Sequence, residues 1–272
     1  MTLRLAGPLL LVGAGKMGGA LLAGWLRQGL DPGLVVVQDP APSPDVVALM
    51  ASHGIAVGSP PLPRTPAVIV LAVKPQAMEA VLPEVAPFVG KATVVLSIAA
   101  GRSLASLAKP LPKGTAIVRA MPNTPASIGQ GISVACANAA VTRDQALGCN
   151  MLLEAAGEVV WIEDEALLGA VTAVSGSGPA YVFLLAECLA EAGVAEGLDH
   201  ELATRLARAT VAGAGELLHR SDLTPAQLRE NVTSPNGTTA AALAVLTGKH
   251  GLQELLLRAV AAAAKRSRGL KS

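Results

Sequence analysis

An apolar run, Pro8-Leu9-Leu10-Leu11-Val12, stops at Gly13-Ala14-Gly15-Lys16-Met17-Gly18, and a second apolar segment, Ala20 to Leu26, follows at once. With no polar residue, the first run predicts a strand buried on both faces. The second predicts a helix packed on a sheet and stopped by Gly29. Another strand is predicted over 34–37, ending at Gln38-Asp39, and Pro40-Ala41-Pro42-Ser43-Pro44 then reads as a loop at a sheet edge. The alternation continues with a helix over 45–53 ended by Gly54, a short strand over 55–57, a strand over 67–73 ending at Lys74-Pro75, and a helix over 76–81. After these come a strand over 93–98 closing on Ala99-Ala100-Gly101, the segment Leu104 to Leu107 and a strand over 116–119. Prolines fix the shape of the next loop, Met121-Pro122-Asn123-Thr124-Pro125. A strand over 132–135, a helix over 142–156 and a strand over 159–162 complete the alternating part.

Strands alternating with helices predict an α/β domain built on a Rossmann-type doubly wound sheet, over residues 1–163. From Asp164 the pattern is helical only. A helix over 165–174 runs into Ser175-Gly176-Ser177-Gly178, Pro179 opens the next helix at a first-turn position, and Gly193 is expected to stop it. Helices follow over 199–219, over 224–231 from the capping box Thr224-Pro225-Ala226-Gln227, and over 240–246 and 252–266. Residues 164–272 are thus predicted to be an all-helical, alanine-rich dimerisation domain that buries itself against a second copy.

The glycines at 13, 15 and 18 have the spacing G-x-G-x-x-G. In a chain with 28 glycines the spacing alone says little. Its place between a predicted strand and a predicted helix favours a dinucleotide site over a structural turn: the first glycine turns the chain, the second admits a pyrophosphate, and the third lets helix and strand approach. Asp39 stands about 20 residues beyond, where a ribose-binding acid is expected, though an Asp there also serves as a turn or cap residue. As a ribose acid it would accept hydroxyls of NADH and repel the 2′-phosphate of NADPH. Lys74, at the carboxyl edge of a strand, stands either near the nicotinamide ribose or as a plain surface lysine. Small residues at Ile98-Ala99-Ala100-Gly101 allow a cofactor to come close.

Composition narrows the rest. A formal net charge of +1 with 15% charged residues leaves no basic field for nucleic acid, and Lys265-Arg266-Ser267-Arg268 reads as a solvated helix end. Cys136, Cys149 and Cys188 are odd in number and widely spaced, so they read as buried thiols of a reducing, cytoplasmic compartment rather than a disulfide or zinc framework. The four histidines are scattered, and no metal site is expected. Ala166 to Ala186 is free of charge and long enough to span a bilayer. Ser175-Gly176-Ser177-Gly178-Pro179 falls in its middle and is expected to break a spanning helix, so no membrane partner is expected either.

Six blocks in order resemble pyrroline-5-carboxylate reductases across nearly the whole chain. They are Val12 to Gly18, Ala72-Val73-Lys74-Pro75, Ser97 to Gly101, Arg119-Ala120-Met121-Pro122-Asn123-Thr124-Pro125, Ser175-Gly176-Ser177-Gly178-Pro179-Ala180-Tyr181 and Ser234-Pro235-Asn236-Gly237-Thr238-Thr239. The resemblance implies reduction of the cyclic imine 1-pyrroline-5-carboxylate to L-proline with NADPH or NADH, by a homodimer or an oligomer of dimers. It implies cofactor contacts from Val12, Gly13, Ala14, Gly15, Lys16, Met17, Gly18, Asp39, Ala72, Val73, Lys74, Pro75, Ile98, Ala99, Ala100, Asn123 and Asn231. It further implies a substrate site from Glu165, Ser234, Gly237, Thr238 and Thr239, with Thr239 hydrogen-bonding the ring nitrogen and the loop holding the carboxylate. Helix capping is the other reading of the two threonines.

Two residues depart from the family pattern. Asn236 stands where glycine is usual, and its side chain narrows the approach to the carboxylate. Asp39 stands where members using NADPH carry a small or uncharged residue, so NADH is expected to serve at least as well. The alternatives are another imine reductase, a hydroxyacid dehydrogenase-like enzyme or a non-catalytic dinucleotide-binding protein. A hydroxyacid dehydrogenase would need a lysine acid on the first helical segment, and none occurs between Lys113 and Lys249.

Overall fold

A computed structural model describes residues 3–56 and 65–269. Seven strands form one sheet in the order β2-β1-β3-β4-β5-β6-β7: β1 (Leu9–Val12), β2 (Val35–Gln38), β3 (Val68–Leu71), β4 (Val94–Ser97), β5 (Ala116–Met121), β6 (Gly131–Ala137) and β7 (Gly157–Trp161). The first five run parallel, with Leu11 level with Val37 on one side and Val70 on the other. Each of β1 to β4 is followed by a helix that helps return the chain to a parallel neighbour. Between β5 and β6 the chain has only a proline-started 3-10 turn, Thr124–Ile128, ended by Gly129 at φ 73°. That link is too short for a crossover, which needs about a dozen residues, so β6 pairs antiparallel to β5.

Alternation along the strands divides the core in two. Leu9, Leu11, Val35, Val37, Val68 and Val70 face one way, onto α1 (Lys16–Arg27), α2 (Pro44–Ser52) and α5 (Arg143–Glu154). Leu10, Val12, Val36, Ile69 and Leu71 face the other way, onto α3 (Met78–Val85) and α4 (Leu104–Ala108). With few aromatics, Trp25 carries unusual weight: it is fully buried, and its indole Nε1 donates to the Leu152 carbonyl at 2.8 Å, tying α1 to α5.

The predicted strand over 55–57 is not formed at Ile55 and Ala56, and Val57 lies outside the described residues. Ile55 instead plugs the end of α2, its amide bonding the Met50 carbonyl. The Ser-Gly-Ser-Gly segment does not break the helical path as expected. A 3-10 turn (Glu165–Leu167), α6 (Leu168–Val171) and a π-turn (Thr172–Gly176) run into α7 (Gly178–Ala195). The π geometry takes up the extra residue that the glycines make tolerable. Leu168 packs on Val134 and Cys136, so this first helical segment stays with the sheet.

By packing the chain forms two compact units, one reaching to Gly176 and taking up the last turns from Ala264, the other Ser177–Ala263. The second unit contains α7, α8 (His200–Arg220), α9 (Pro225–Asn231), α10 (Thr238–Leu246) and most of α11 (Leu252–Gly269). Gly193 does not stop α7. It lies within the helix, where a side chain would press on Ala203 of α8, and the helix runs on to Ala195, with the left-handed Gly197, at φ 97°, just beyond its end. The capping box at Thr224 and Gln227 forms as predicted. Within this unit only Ala203 and Ala207 are buried among the described residues, so it has no core of its own.

Candidate active site

The carboxyl ends of β1 and β3 enclose a cleft of about 490 Å³ at the point where the chain, having left β1 for β2, returns to the other side as β3. Open α/β sheets bind ligands at such a switch point. The cleft is lined by Val12, Gly13, Gly15, Asp39, Ala72, Val73 and Lys74 from among the expected cofactor residues. Gln38, Pro40, Ala77, Val81, Glu84 and Val85 complete the lining, and spacing gave no signal for these last contributors.

The three glycines differ in what they do. Gly13 has φ +91° and leaves no room: a Cβ would lie 2.8 Å from Val73 and 2.9 Å from the Ala72 carbonyl. Gly18 faces the Gly13 carbonyl so closely that any side chain would collide with it. At Gly15 a Cβ would meet nothing within 4 Å. The middle glycine therefore keeps open space beside the first turn of α1, whose amides have no intrahelical acceptors. Those free N–H groups and the open space beside them fit a dinucleotide pyrophosphate.

Asp39 is half-buried at the end of β2. Its Oδ2 accepts from the Ala14 amide at 2.6 Å and its Oδ1 from the Ala41 amide at 2.8 Å. The carboxylate thus both closes the turn into the proline loop and holds the glycine loop, so the two sequence readings of Asp39 are not exclusive. Each oxygen keeps a further lone pair for a ribose hydroxyl.

At the next strand ends, Ile98 and Ala99 are buried in the two cores, and left-handed Gly101, at φ 75°, turns the chain into α4. Arg102, which carried no sequence signal, reaches back from here to the β3 end. Its Nε and Nη2 donate to the Pro75 carbonyl at 3.2 and 3.0 Å, and Nη1 pairs with Glu79 at 3.2 Å. Asn123 uses its side chain internally: Oδ1 accepts from the Ile132 amide at 3.0 Å and Nδ2 donates to Ser175 Oγ at 3.3 Å, joining the proline loop to the π-turn.

Glu165 opens the helical segment. Its Oε1 accepts from the Arg119 guanidinium at 2.7 Å and from the Leu104 amide at 2.8 Å. Arg119 is 3% exposed on β5, directly opposite Cys136 on β6. Burial, with the Glu165 charge adding to it and Arg119 opposing, pushes the Cys136 thiol up to about 11, so it stays protonated. Cys149, buried under α5, is pushed up to about 12 by burial alone. Cys188 departs from the expectation of a buried thiol, being exposed on α7 in this chain.

In the second unit, Ser234-Pro235-Asn236-Gly237 forms a tight turn closed by the Gly237 amide on the Ser234 carbonyl at 3.1 Å. Asn236 takes φ 57°, the left-handed conformation for which glycine is usual. Gly237 is the N-cap of α10 and no side chain caps it, so Thr238 and Thr239 stand in the first helical turn with free backbone amides beside them. That overturns helix capping as the role of these hydroxyls. Asn231 ends α9 three residues upstream of the turn.

The family described as "Pyrroline-5-carboxylate reductase dimerisation" matches residues 165–270, and one described as "NADP oxidoreductase coenzyme F420-dependent" matches residues 9–101. The chain is similar to a pyrroline-5-carboxylate reductase of Pseudomonas aeruginosa, 41% identical over 263 residues that cover 94% of each protein. Among solved structures it is similar to a pyrroline-5-carboxylate reductase from Coxiella burnetii, with a TM-score of 0.89, 34% identity, and coverage of 98% of this chain and 100% of that one. It is also similar to a Plasmodium falciparum pyrroline carboxylate reductase with NADP bound, with a TM-score of 0.80, 30% identity, and coverage of 98% and 99%.

Proposed function

This chain belongs to the pyrroline-5-carboxylate reductase family, and from that premise we propose how its own residues perform the reduction. It is an oxidoreductase that reduces 1-pyrroline-5-carboxylate to L-proline at the expense of NADPH or NADH. When bound, the reduced nicotinamide supplies a hydride to the imine carbon. Every other requirement falls to the protein.

The glycine loop holds the pyrophosphate on the amides that open α1, at the space kept by Gly15, and this open space is the observation that carries the reading. Lys16, Met17 and Gly18 supply that first turn, Asp39 takes the ribose, and Ala72 to Pro75 with Ile98 to Ala100 form the walls toward the nicotinamide. Asn123 shapes this region through the π-turn, and the family resemblance assigns Asn231 to the cofactor as well. The protonated imine already draws a hydride to its carbon, so the site must orient it and hold its carboxylate rather than supply a strong acid. Thr239 Oγ1 accepts the ring N–H, while Ser234, Gly237 and Thr238 take the carboxylate on hydroxyls and helix-opening amides. Glu165, fixed by Arg119, borders the substrate.

We assign the chain to a homodimer, and place its dinucleotide and substrate functions in segments 1–163 and 164–272 respectively. The apolar side chains of α7, α8, α10 and α11, such as Phe183, Leu206, Val245 and Leu257, are exposed in this chain. They need a second copy to cover them. One helical stretch, Glu165–Ala195, is long and apolar enough to cross a membrane. Its exposed residues belong in our reading to the dimer face. Two buried thiols without disulfides support a cytoplasmic setting.

The test is oxidation of NADH or NADPH by the purified enzyme with 1-pyrroline-5-carboxylate, with proline measured as product. Thr239→Ala is expected to bind dinucleotide normally and to lose roughly tenfold or more in kcat/KM, the worth of one hydrogen bond to a charged group. Dinucleotide binding without any proline from the wild-type enzyme would overturn the assignment. Unchanged kinetics in Thr239→Ala would remove its role.

A further inference from the structure

We propose that Arg102 is a positioning residue for cofactor binding, a latch that ties the loop after β4 to the Lys74–Pro75 end of the dinucleotide cleft. The inference rests on the reading of the cleft between β1 and β3 as the dinucleotide site. Arg102 follows Ile98-Ala99-Ala100 at the end of β4, and its guanidinium crosses to the end of β3. There Nε and Nη2 both donate to the Pro75 carbonyl, at 3.2 and 3.0 Å. This carbonyl stands next to Lys74, which lines the cleft.

The guanidinium is delivered by a stiff backbone. Gly101 before it is left-handed, and Ser103 after it caps α4, its Oγ accepting from the Ser106 amide at 3.1 Å. Arg102 is thereby held between a fixed turn and a fixed helix start. The acceptor side is fixed too, since the Ala77 amide bonds the Lys74 carbonyl at 2.9 Å in a 3-10 turn that Pro75 starts. With both ends rigid, two parallel N–H donors on one carbonyl set the spacing of the loops.

The ion pair with Glu79 is the lesser part. The Arg102 side chain is 16% exposed and that of Glu79 is 78% exposed, so the pair lies in solvent and contributes little. The carbonyl contact is the enclosed one, and it joins segments 27 residues apart. Loss of the latch therefore frees the Lys74–Pro75 lip to move relative to Ile98 to Ala100. Dinucleotide binding then has to pay for ordering both loops.

The experiment measures the dissociation constants of NADH and NADPH without substrate, beside melting temperature and turnover, for the full-length enzyme. Arg102→Met keeps the stem and removes every donor, and it is expected to weaken both dinucleotides about tenfold, the equivalent of one charged hydrogen bond. Arg102→Lys, with one donor able to reach the carbonyl, is expected to recover part of the loss. Glu79→Gln is expected to stay within about twofold of wild type. Arg102→Met binding as tightly as wild type overturns the latch and leaves the reductase assignment standing. An equal loss in Arg102→Lys and Arg102→Met, with a matching fall in melting temperature, also overturns it, in favour of a general packing role. Wild-type enzyme that binds NADH but makes no proline overturns the reductase assignment and leaves the binding comparison intact.

Discussion

Replacing Asp39 with Asn is expected to invert the balance between the two nicotinamide cofactors. The carboxylate sits at the mouth of the cleft with Oδ2 on the Ala14 amide at 2.6 Å. A 2′-phosphate on the adenosine ribose would bring about two negative charges to within about 5 Å of it, a repulsion of roughly 1.5 kcal/mol in water-like surroundings and about 6 kcal/mol in a protein-like dielectric. Asp39 is half-buried, so a value near 2 kcal/mol is reasonable, or roughly thirtyfold in binding. Lys74 is the only cation among the described residues lining the cleft, and it is offset by Asp39 and Glu84. Wild-type enzyme should therefore use NADH at least as well as NADPH. Asp39→Asn keeps an acceptor at Oδ1, removes the charge, and should lower the ratio of kcat/KM for NADH over NADPH by about thirtyfold. The assay is steady-state oxidation with each dinucleotide varied at fixed imine. A ratio that moves by less than about threefold would mean that the carboxylate serves only the Ala14 and Ala41 amides, and the electrostatic reasoning would be wrong.

Gly15→Ala should fold within about 0.5 kcal/mol of wild type and yet lose dinucleotide affinity, because its Cβ meets open space, whereas Gly18→Ala should lose about 1–3 kcal/mol of stability by collision with the Gly13 carbonyl. Thermal melting and nucleotide titration on both variants separate the two effects. Folded Cys136 and Cys149 hold their protons up to about 11 and about 12, against 9.0 for an ordinary thiol, so unfolding releases protons above pH 9. Stability should fall as pH rises from there, less steeply in a Cys136→Ala/Cys149→Ala variant, and both thiols should resist alkylation at pH 8 until the protein unfolds. Phe183→Glu on the exposed face of α7 should shift the enzyme toward monomer in sedimentation, since full burial of such a side chain is worth about 1.5–3 kcal/mol. An unchanged sedimentation coefficient would place the dimer face elsewhere.

Much of the site was legible because its signals are local. A glycine loop needs particular residues at fixed spacing, and the roles of Gly13, Gly15 and Gly18 follow from backbone geometry that sequence encodes directly. Ser234 to Thr239 was legible as a block only through the family resemblance, and the structure then shows Asn236 in the left-handed conformation for which glycine is usual. Arg102 and Arg119 were not legible, since each acts on a partner 27 or 46 residues away and no spacing rule links Arg102 to the Pro75 carbonyl or Arg119 to Glu165. Gly193 misled because a glycine within a helix looks like a stop. Its use, letting Ala203 of α8 come close, belongs to a contact between helices.

Apolar runs and their punctuation by themselves determined the alternation of strands and helices, the change to helices after Asp164, the glycine loop and the turn chemistry, because periodicity and allowed φ values are properties of short segments. Only the tertiary structure decided the order of the strands, the antiparallel return of β6, the π-turn in place of a break, and the pairing of Asp39 with Ala14, of Arg102 with Pro75 and of Glu165 with Arg119. These depend on which distant segments share a core, and that is settled by how the two faces of the sheet are covered.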